Sequence, residues 1–437
     1  MQTSWKPLLQ GTQAQAAFAS IEEIASALAA HVRNQSRPAL MKAELGEGAA
    51  GIALFFAYLR AGLLAQNSGV QSTGLMPASA ARDLSIDCLN IGIAALASQS
   101  TTASLFSGFT GVAWSAQHVT SLLSDSSADL CADIDLALET CLSHSPWKGE
   151  YDLISGLVGV GVYCLERRRS QVAARCLHLI VEHLSQMAKN SGDALRWFTS
   201  PDFLPHQQRQ IYPQGYYNLG LAHGVPGIIA LLAKIYAAGI AREPSDRLLH
   251  GAIKWLLGQR LPADANSSFS AFMVPDCSPE DCRLAWCYGD AGISAALLLA
   301  ARCTGNTAWE DQALAIARKA AAREPQGCGV VDACFCHGSA GLLHIFNRFY
   351  QATHDEAFSQ AARSWAEWTL NFHKPATEAV GYPVLTTSSN TKMEFQPRFG
   401  IIEGIAGIGL SLLAATTAVV PDWDRIFMVD IPPLSAI

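Results

Sequence analysis

Seven times along the chain a Gly-x-x-Gly pair is followed at once by Ile, Val or Leu: GAAGI at Gly48, GFTGV at Gly108, GLVGV at Gly156, GVPGI at Gly224, GDAGI at Gly289, GSAGL at Gly338 and GIAGI at Gly404. The successive spacings are 60, 48, 68, 65, 49 and 66 residues. Self-similarity at such a period marks a repeat protein, in which each unit buries its apolar face against the next. Each pair opens a run such as IALFFAYL, IIALLAKI or ISAALLLAA, apolar on nearly every side, which reads as a short helix buried all round. Between the runs lie amphipathic stretches. Phe18, Ile21, Ala25, Leu28 and Val32 form one stripe, and Phe358, Trp365, Trp368 and Phe372 another, as expected of helices with one wet face.

A unit of about 59 residues holds two helices of about 15 to 20 residues and their loops. The expected fold is therefore all-α: an α/α toroid of seven helical-hairpin repeats, an inner ring within an outer ring, with residues 1–437 forming a single domain. An open solenoid shares the signature. Closure is favoured because the first and last apolar runs are as apolar as the middle ones, whereas solenoid ends carry a polar capping face. Two small residues at the start of each inner helix allow close packing and a sharp turn, and this is taken as the main role of the glycines.

Composition narrows the function. With 50% hydrophobic and 15% charged residues the chain is too apolar for disorder. A net charge of −7 and the lack of a long Lys/Arg run argue against nucleic acid as a partner. The first twenty residues, with Gln2, Gln10, Gln13 and Gln15, hold no apolar signal core, so a cytoplasmic location is expected. Gly404 to Val420 carries no charge, but it falls short of the roughly 20 residues a bilayer needs and fits better as a repeat helix, so no transmembrane segment is expected. Twelve cysteines without export point to free thiols and metal binding rather than a disulfide framework.

Repeat register turns sequence position into spatial position. Directly before the first glycine stand Glu47, Ser107, Ser155, His223, Tyr288, His337 and Glu403, and one place earlier Gly46, Phe106, Ile154, Ala222, Cys287, Cys336 and Ile402. Cys287 and Cys336 share a register in neighbouring units and His337 follows Cys336, so two sulfurs and an imidazole should meet. That set matches a zinc site with three protein ligands and an open fourth position. Cys334, Cys282 or Cys328 could close it into a structural site. Cys88, Cys131, Cys141, Cys164, Cys176 and Cys303 read as small buried hydrophobes. His223, in the next unit round the ring, is placed beside the metal as an acid or base. Asp152 and Arg283, four and six residues before their glycines, could be pocket residues or a structural ion pair. Glu47 and Glu403 read as charges favouring helix N-termini.

The motifs LAHG (Leu221 to Gly224), RLAWCYG (Arg283 to Gly289) and CHGSAG (Cys336 to Gly341) are specific, and through all seven units the chain resembles the LanC-like lanthionine synthetase cyclases. YDLISGL around Asp152 looks like the family's other site segment. The resemblance implies an α/α toroid, one zinc held by Cys287, Cys336 and His337, a catalytic His223, and Asp152, Arg283 and Tyr288 as further pocket residues. Departures are small: Ala291 and Pro226 shift a proline that family members often carry after WCYG. Free-standing members often also hold an inserted β-rich domain. The intervals here leave room only for short excursions such as Phe198 to Tyr217 or Ser267 to Pro279.

The activity so implied is intramolecular Michael-type addition of Cys thiols to dehydroalanine or dehydrobutyrine in a precursor peptide, forming lanthionine or methyllanthionine rings. A free Cys is only about 3% thiolate at pH 7, a limit that zinc removes. His223 would protonate the enolate, and Arg283 would stabilise its oxygen or pair with Asp152, which would orient His223. The implied partners are a dehydrated precursor peptide and, in a biosynthetic complex that would bring the chain peripherally to the membrane, a dehydratase and an ABC exporter. Three alternatives stay open: zinc-activated glutathione added to dehydrated proteins, a non-catalytic zinc scaffold, and an (α/α) glycosidase. The last needs two opposed carboxylates, and Asp152 has no convincing partner.

Overall fold

The computed structural model describes residues 5–34, 42–65, 74–97, 101–123, 129–275, 277–374, 381–387 and 393–432. Along it, amphipathic and apolar helices alternate. The amphipathic set is α1 (Gly11–Asn34), α3 (Ala78–Leu96), α5 (Ala132–Leu142), α7 (Gln171–Met187), α10 (Arg242–Leu257), α12 (Thr307–Ala321) and α14 (Glu356–Asn371). The apolar set, one after each glycine pair, is α2 (Ala49–Ala65), α4 (Phe109–Leu123), α6 (Leu157–Glu166), α9 (Val225–Ala237), α11 (Asp290–Thr304), α13 (Ser339–Thr353) and α15 (Ile405–Thr416). A short α8 (His206–Ile211) lies between α7 and α9.

Burial follows the two patterns. In α7 the buried residues Ala173, Cys176, Leu177, Ile180, Val181 and Leu184 fall at helical spacing on one stripe. In α11 every residue from Asp290 to Ala301 is buried, and in α15 every residue is. The apolar helices pack side by side as an inner ring, α2 against α4 and so on round to α15, which returns to α2. The ring is closed. Its outer layer closes out of sequence order: α1 packs on α15 and α14, so the first helix is the outer partner of the last unit. The Leu8 and Leu9 N–H groups both donate to the Ala415 carbonyl, at 2.8 and 2.9 Å, and the Trp5 indole donates to Ala414 at 2.7 Å. The uncharged tract beginning at Gly404 is thus an inner-ring helix, and no described helix is long and apolar enough to cross a membrane.

All inner helices begin at one end of the ring, where their loops are joined by hydrogen bonds. Gly46 N–H donates to Phe106 (2.8 Å), Leu153 to Ala222 (3.1 Å), Ala222 to Cys287 (3.4 Å), Cys287 to Cys336 (3.2 Å), Cys336 to Ile402 (2.9 Å) and Ile402 to Gly46 (3.3 Å). Between the second and third units the Ser104 hydroxyl donates to the Ile154 carbonyl at 2.9 Å. The residues two places before each first glycine therefore line a continuous girdle. The second glycine of each pair lets the helix lie against this loop: a Cβ on Gly111, Gly292 or Gly341 would stand 1.8, 2.1 or 1.9 Å from the carbonyl oxygen six residues earlier. Gly289 also takes φ 104°, a conformation that L side chains rarely adopt.

Three outer-to-inner connections are long and lie at this same end. The first carries β1 (Lys189–Ser191), β2 (Ala194–Arg196), α8 and β3 (Tyr217–Asn218). The second carries β4 (Phe272–Met273), which pairs with β3. These excursions fall where the interval lengths left room. The third, a hairpin of β5 (Val384–Thr387) and β6 (Met393–Gln396), was not foreseen.

Beyond α15 the chain turns back and its 3-10 segment Asp422–Phe427 fills the bore. Phe427 meets rings from three units: Phe335 at 3.9 Å, Trp286 at 5.0 Å and Phe106 at 5.6 Å between centroids. Its carbonyl accepts from the Trp286 indole at 2.9 Å. Buried Asp424 is held by Arg348 (2.9 Å to Nη2) and His344 (2.7 Å), so its charge is paired and hydrogen-bonded, as a buried carboxylate requires.

Gly292→Ala should lower stability by about 1–3 kcal/mol, because its Cβ would overpack the loop ending in Cys287. Gly327→Ala, where nothing lies within 4 Å, should stay within about 0.5 kcal/mol of the parent. Equal urea midpoints for the two variants would rule out the close-approach role of the paired glycines.

Candidate metal centre

The loops before α11 and α13 are neighbours in the girdle, bound through the Cys287 N–H and the Cys336 carbonyl. Their side chains converge: one donor atom from each of Cys287, Cys336 and His337 lies within 4.8 Å of the others. Tetrahedral ligands about 2.3 Å from a zinc would sit roughly 3.8 Å apart, so two sulfurs and an imidazole at this separation fit the ion in number, softness and spread. Among the described residues no fourth ligand joins this set. Cys334 groups instead with Asp332 and His337, and burial drives its thiol well above the ordinary range. Cys282 and Cys328 belong to no such group.

The thiols are prepared for ligation. The hydrogen bond with Cys336 draws the Cys287 thiol down to about 6 against the effect of burial, helped by Arg283, His337 and His223. The same hydrogen bond, then burial, pushes the Cys336 thiol up. Arg283, on the rim, places Nη2 3.4 Å from the Cys287 sulfur. It does not pair with Asp152, so the structural ion pair considered for those two residues is not formed.

Asp152 turns to His223 instead. Its buried carboxylate binds His223 Nδ1 through one oxygen, while the other accepts the Ser155 N–H at 2.8 Å. With Nδ1 engaged, Nε2 is the nitrogen left for chemistry. Burial disfavours the imidazolium, but Asp152, with Cys287 and Glu150, outweighs it and raises the His223 pKa. The Tyr288 ring stacks 6.3 Å from that of His223, and its hydroxyl accepts from Asn218 Nδ2 at 3.2 Å. Burial raises the Tyr288 pKa, so the phenol keeps its proton. Beside His223, away from the sulfurs, opens a cavity of about 230 Å³.

Register reading missed three residues. Asp332, 1% exposed, stands 3.7 Å from His337 Nε2. It is fixed by the N–H groups of Cys334 (3.0 Å) and of Leu385 in β5 (3.2 Å). Asn218 bridges Tyr288 and the Gly220 N–H, and Glu150 lines the cavity. All three stand six places before the first glycine of their unit, the register of Arg283. Lys42, Thr102 and Arg398 complete it, so this position is polar in every unit and was a readable signal. Glu47 and Glu403 meet each other: the Glu403 N–H donates to Glu47 at 3.3 Å, and burial, then Glu403, raise the Glu47 pKa to about 7.

Residues 40–428 match the family model described as lanthionine synthetase C-like protein. The nisin biosynthesis protein NisC of Lactococcus lactis subsp. lactis is 26% identical over 275 residues, 59% of this chain. The match spans 64% of NisC, less than two thirds of its length. A solved structure of nisin cyclase superposes with a TM-score of 0.72 at 22% identity, covering 94% of this chain and 97% of that one, which is a likeness of fold.

Metal analysis should find about one zinc per chain, with heavy loss in Cys287→Ala, Cys336→Ala and His337→Ala and retention in His223→Ala. Asp332→Asn should weaken zinc binding by about 10–100-fold, the usual cost of losing the carboxylate behind a ligating histidine. Unchanged affinity in that variant, measured by chelator competition, would remove Asp332 from the site.

Proposed function

The chain belongs to the lanthionine synthetase C-like protein family, and on that premise we propose that it is a zinc-dependent lanthipeptide cyclase. The substrate is a dehydrated precursor peptide, and the product carries lanthionine or methyllanthionine thioether rings. The observation that carries this reading is the convergence of Cys287, Cys336 and His337 beside an acid already oriented, the His223–Asp152 pair.

Bound zinc would supply a substrate thiolate at neutral pH. The residues of the chain supply the rest. A peptide sulfur attacks the β-carbon of a dehydroalanine or dehydrobutyrine, forming the C–S bond while the π electrons move to the α-carbon and its carbonyl oxygen. His223 hands its Nε2 proton to the α-carbon, completing net addition of S–H across the double bond. Asp152 holds the ring and stabilises its cationic form through Nδ1. Arg283 and the protonated Tyr288 hydroxyl border the site and are assigned to the developing oxyanion. Residues 1–437 work as one domain in this reading, with a dehydratase and an exporter as partners in a biosynthetic complex.

Because addition within one peptide moves atoms without gain or loss, mass stays constant while one free thiol disappears per ring. Incubation of zinc-loaded protein with a dehydrated, cysteine-containing peptide should show that result faster than the spontaneous reaction. A gain of one glutathione mass, seen only with glutathione present, would instead assign addition to external thiols. His223→Ala should lose about 10²–10⁴-fold in rate. Asp152→Asn and Arg283→Ala should slow turnover while keeping the parent melting temperature.

The pH profile gives a further check. His223 must be protonated, so kcat should fall as pH rises through a value above 6.5, the direction in which Asp152 moves it. Asp152→Asn removes that support and should shift the falling limb to lower pH. An unmoved limb would dissociate it from His223.

A further inference from the structure

The cavity beside His223 has a chemical character that cyclisation itself does not require. Round the ring, the metal ligands come from the fifth and sixth units, His223 from the fourth and Glu150 from the third, so the cavity lies beyond His223 on the side away from the sulfurs. A peptide with its thiol at the metal and its α-carbon at His223 would pass its next residue into this space. About 230 Å³ is below the roughly 300–1,000 Å³ of whole-ligand pockets and suits one side chain.

Its walls are aromatic and hydroxylic: Tyr216, Tyr288, Phe203, Thr199 and the amide of Gln208. No lysine or arginine is among the described residues lining it. The charge of His223 is already matched by Asp152. That leaves Glu150, half-buried, whose carboxyl has no hydrogen bond or ion pair among the described residues and whose pKa burial, then Asp152, raise to about 7, so that a cation beside it would draw it into the charged form. Its backbone is pinned, with the carbonyl accepting from the Trp147 indole at 2.9 Å and the Leu157 N–H at 3.2 Å. Arg209 of α8 is turned to the carbonyls of Pro201 and Asp202, both at 2.8 Å. Aromatic faces around an unmatched carboxylate are the setting that attracts an ammonium or guanidinium on an aliphatic stem.

We propose that this cavity is a specificity subsite for a basic side chain, lysine or arginine, next to the dehydrated residue of the substrate, with Glu150 as its counter-charge. This rests on the cyclase reading. The subsite is built by the excursion between α7 and α9 together with the loop before α6, and it touches neither metal ligand loop except through Tyr288.

The test uses zinc-loaded full-length protein and dehydrated peptides identical except for lysine, norleucine or glutamate beside the dehydroalanine. Affinity is read by fluorescence anisotropy and turnover by thiol loss. Lysine should have a Kd about tenfold lower and a kcat/KM about tenfold higher than norleucine, the scale of one charge-assisted hydrogen bond, and glutamate should be weakest. Glu150→Gln should reduce the lysine preference to near unity. Glu150→Lys should reverse it toward glutamate, with zinc content and circular dichroism showing that each variant is folded. Turnover without discrimination in the parent, or discrimination untouched in both variants, overturns the subsite and leaves the cyclase reading standing. Discrimination in Kd with no turnover of any peptide supports the subsite and overturns the cyclase reading.

Discussion

The girdle of hydrogen bonds passed from loop to loop is the interaction on which the rest depends. Each inner-helix loop gives up a donor or an acceptor to its neighbour, and because the last returns to the first, no loop can shift alone. The glycine pairs exist for this girdle, since a side chain at either place would push the helix off the loop it must touch. Two residues at one register in adjacent units are then brought together by the backbone. Cys287 and Cys336 meet for that reason, and the hydrogen bond between them lowers the pKa of Cys287 and raises that of Cys336.

What was legible in the sequence is what the girdle controls. The repeat, the inner-outer alternation and the meeting of Cys287, Cys336 and His337 follow from the spacing and register of the glycines, while closure of the ring rests on the apolar first and last runs, since an open solenoid has the same spacing. The Asp332 carboxylate was as readable by register, and it escaped notice because a lone Asp six places ahead of a glycine looks like a loop residue until its six counterparts are aligned. Other features were not readable, because they depend on packing between distant parts of the chain. Nothing local to Phe427 says that it will stack on Phe335 across the bore, and nothing local to β5 says that Leu385 will hold Asp332.

The bore has two ends of different character. At one, polar loop residues ring the metal centre and three excursions wall it. Toward the other, the segment Asp422–Phe427 fills the hole and ties to the barrel through Asp424, while Asp430 beyond it pairs with Lys234 of α9. Trp286 and Phe335, which touch Phe427, are the residues immediately before Cys287 and Cys336. The metal loops are therefore supported from beneath by the last part of the described chain, and the geometry of the sulfurs is tied to packing well away from the mouth. Rigid support of this kind is what holds a ligand set in place.

The pairing of α1 with α15 sets an order of events during synthesis. Trp5 and Ala414, joined by a hydrogen bond, are 409 residues apart in the chain. Helix α1 leaves the ribosome long before α15 and waits while the units between them are made, its stripe of Ile21, Ile24, Leu28 and Val32 without a permanent surface to cover it. Until then the growing protein is an open arc with one edge exposed, and exposed apolar edges of this kind invite aggregation. Joining the two ends is a contact of very high sequence separation and so a slow, late step. The exposure of that edge ends only when the ring shuts.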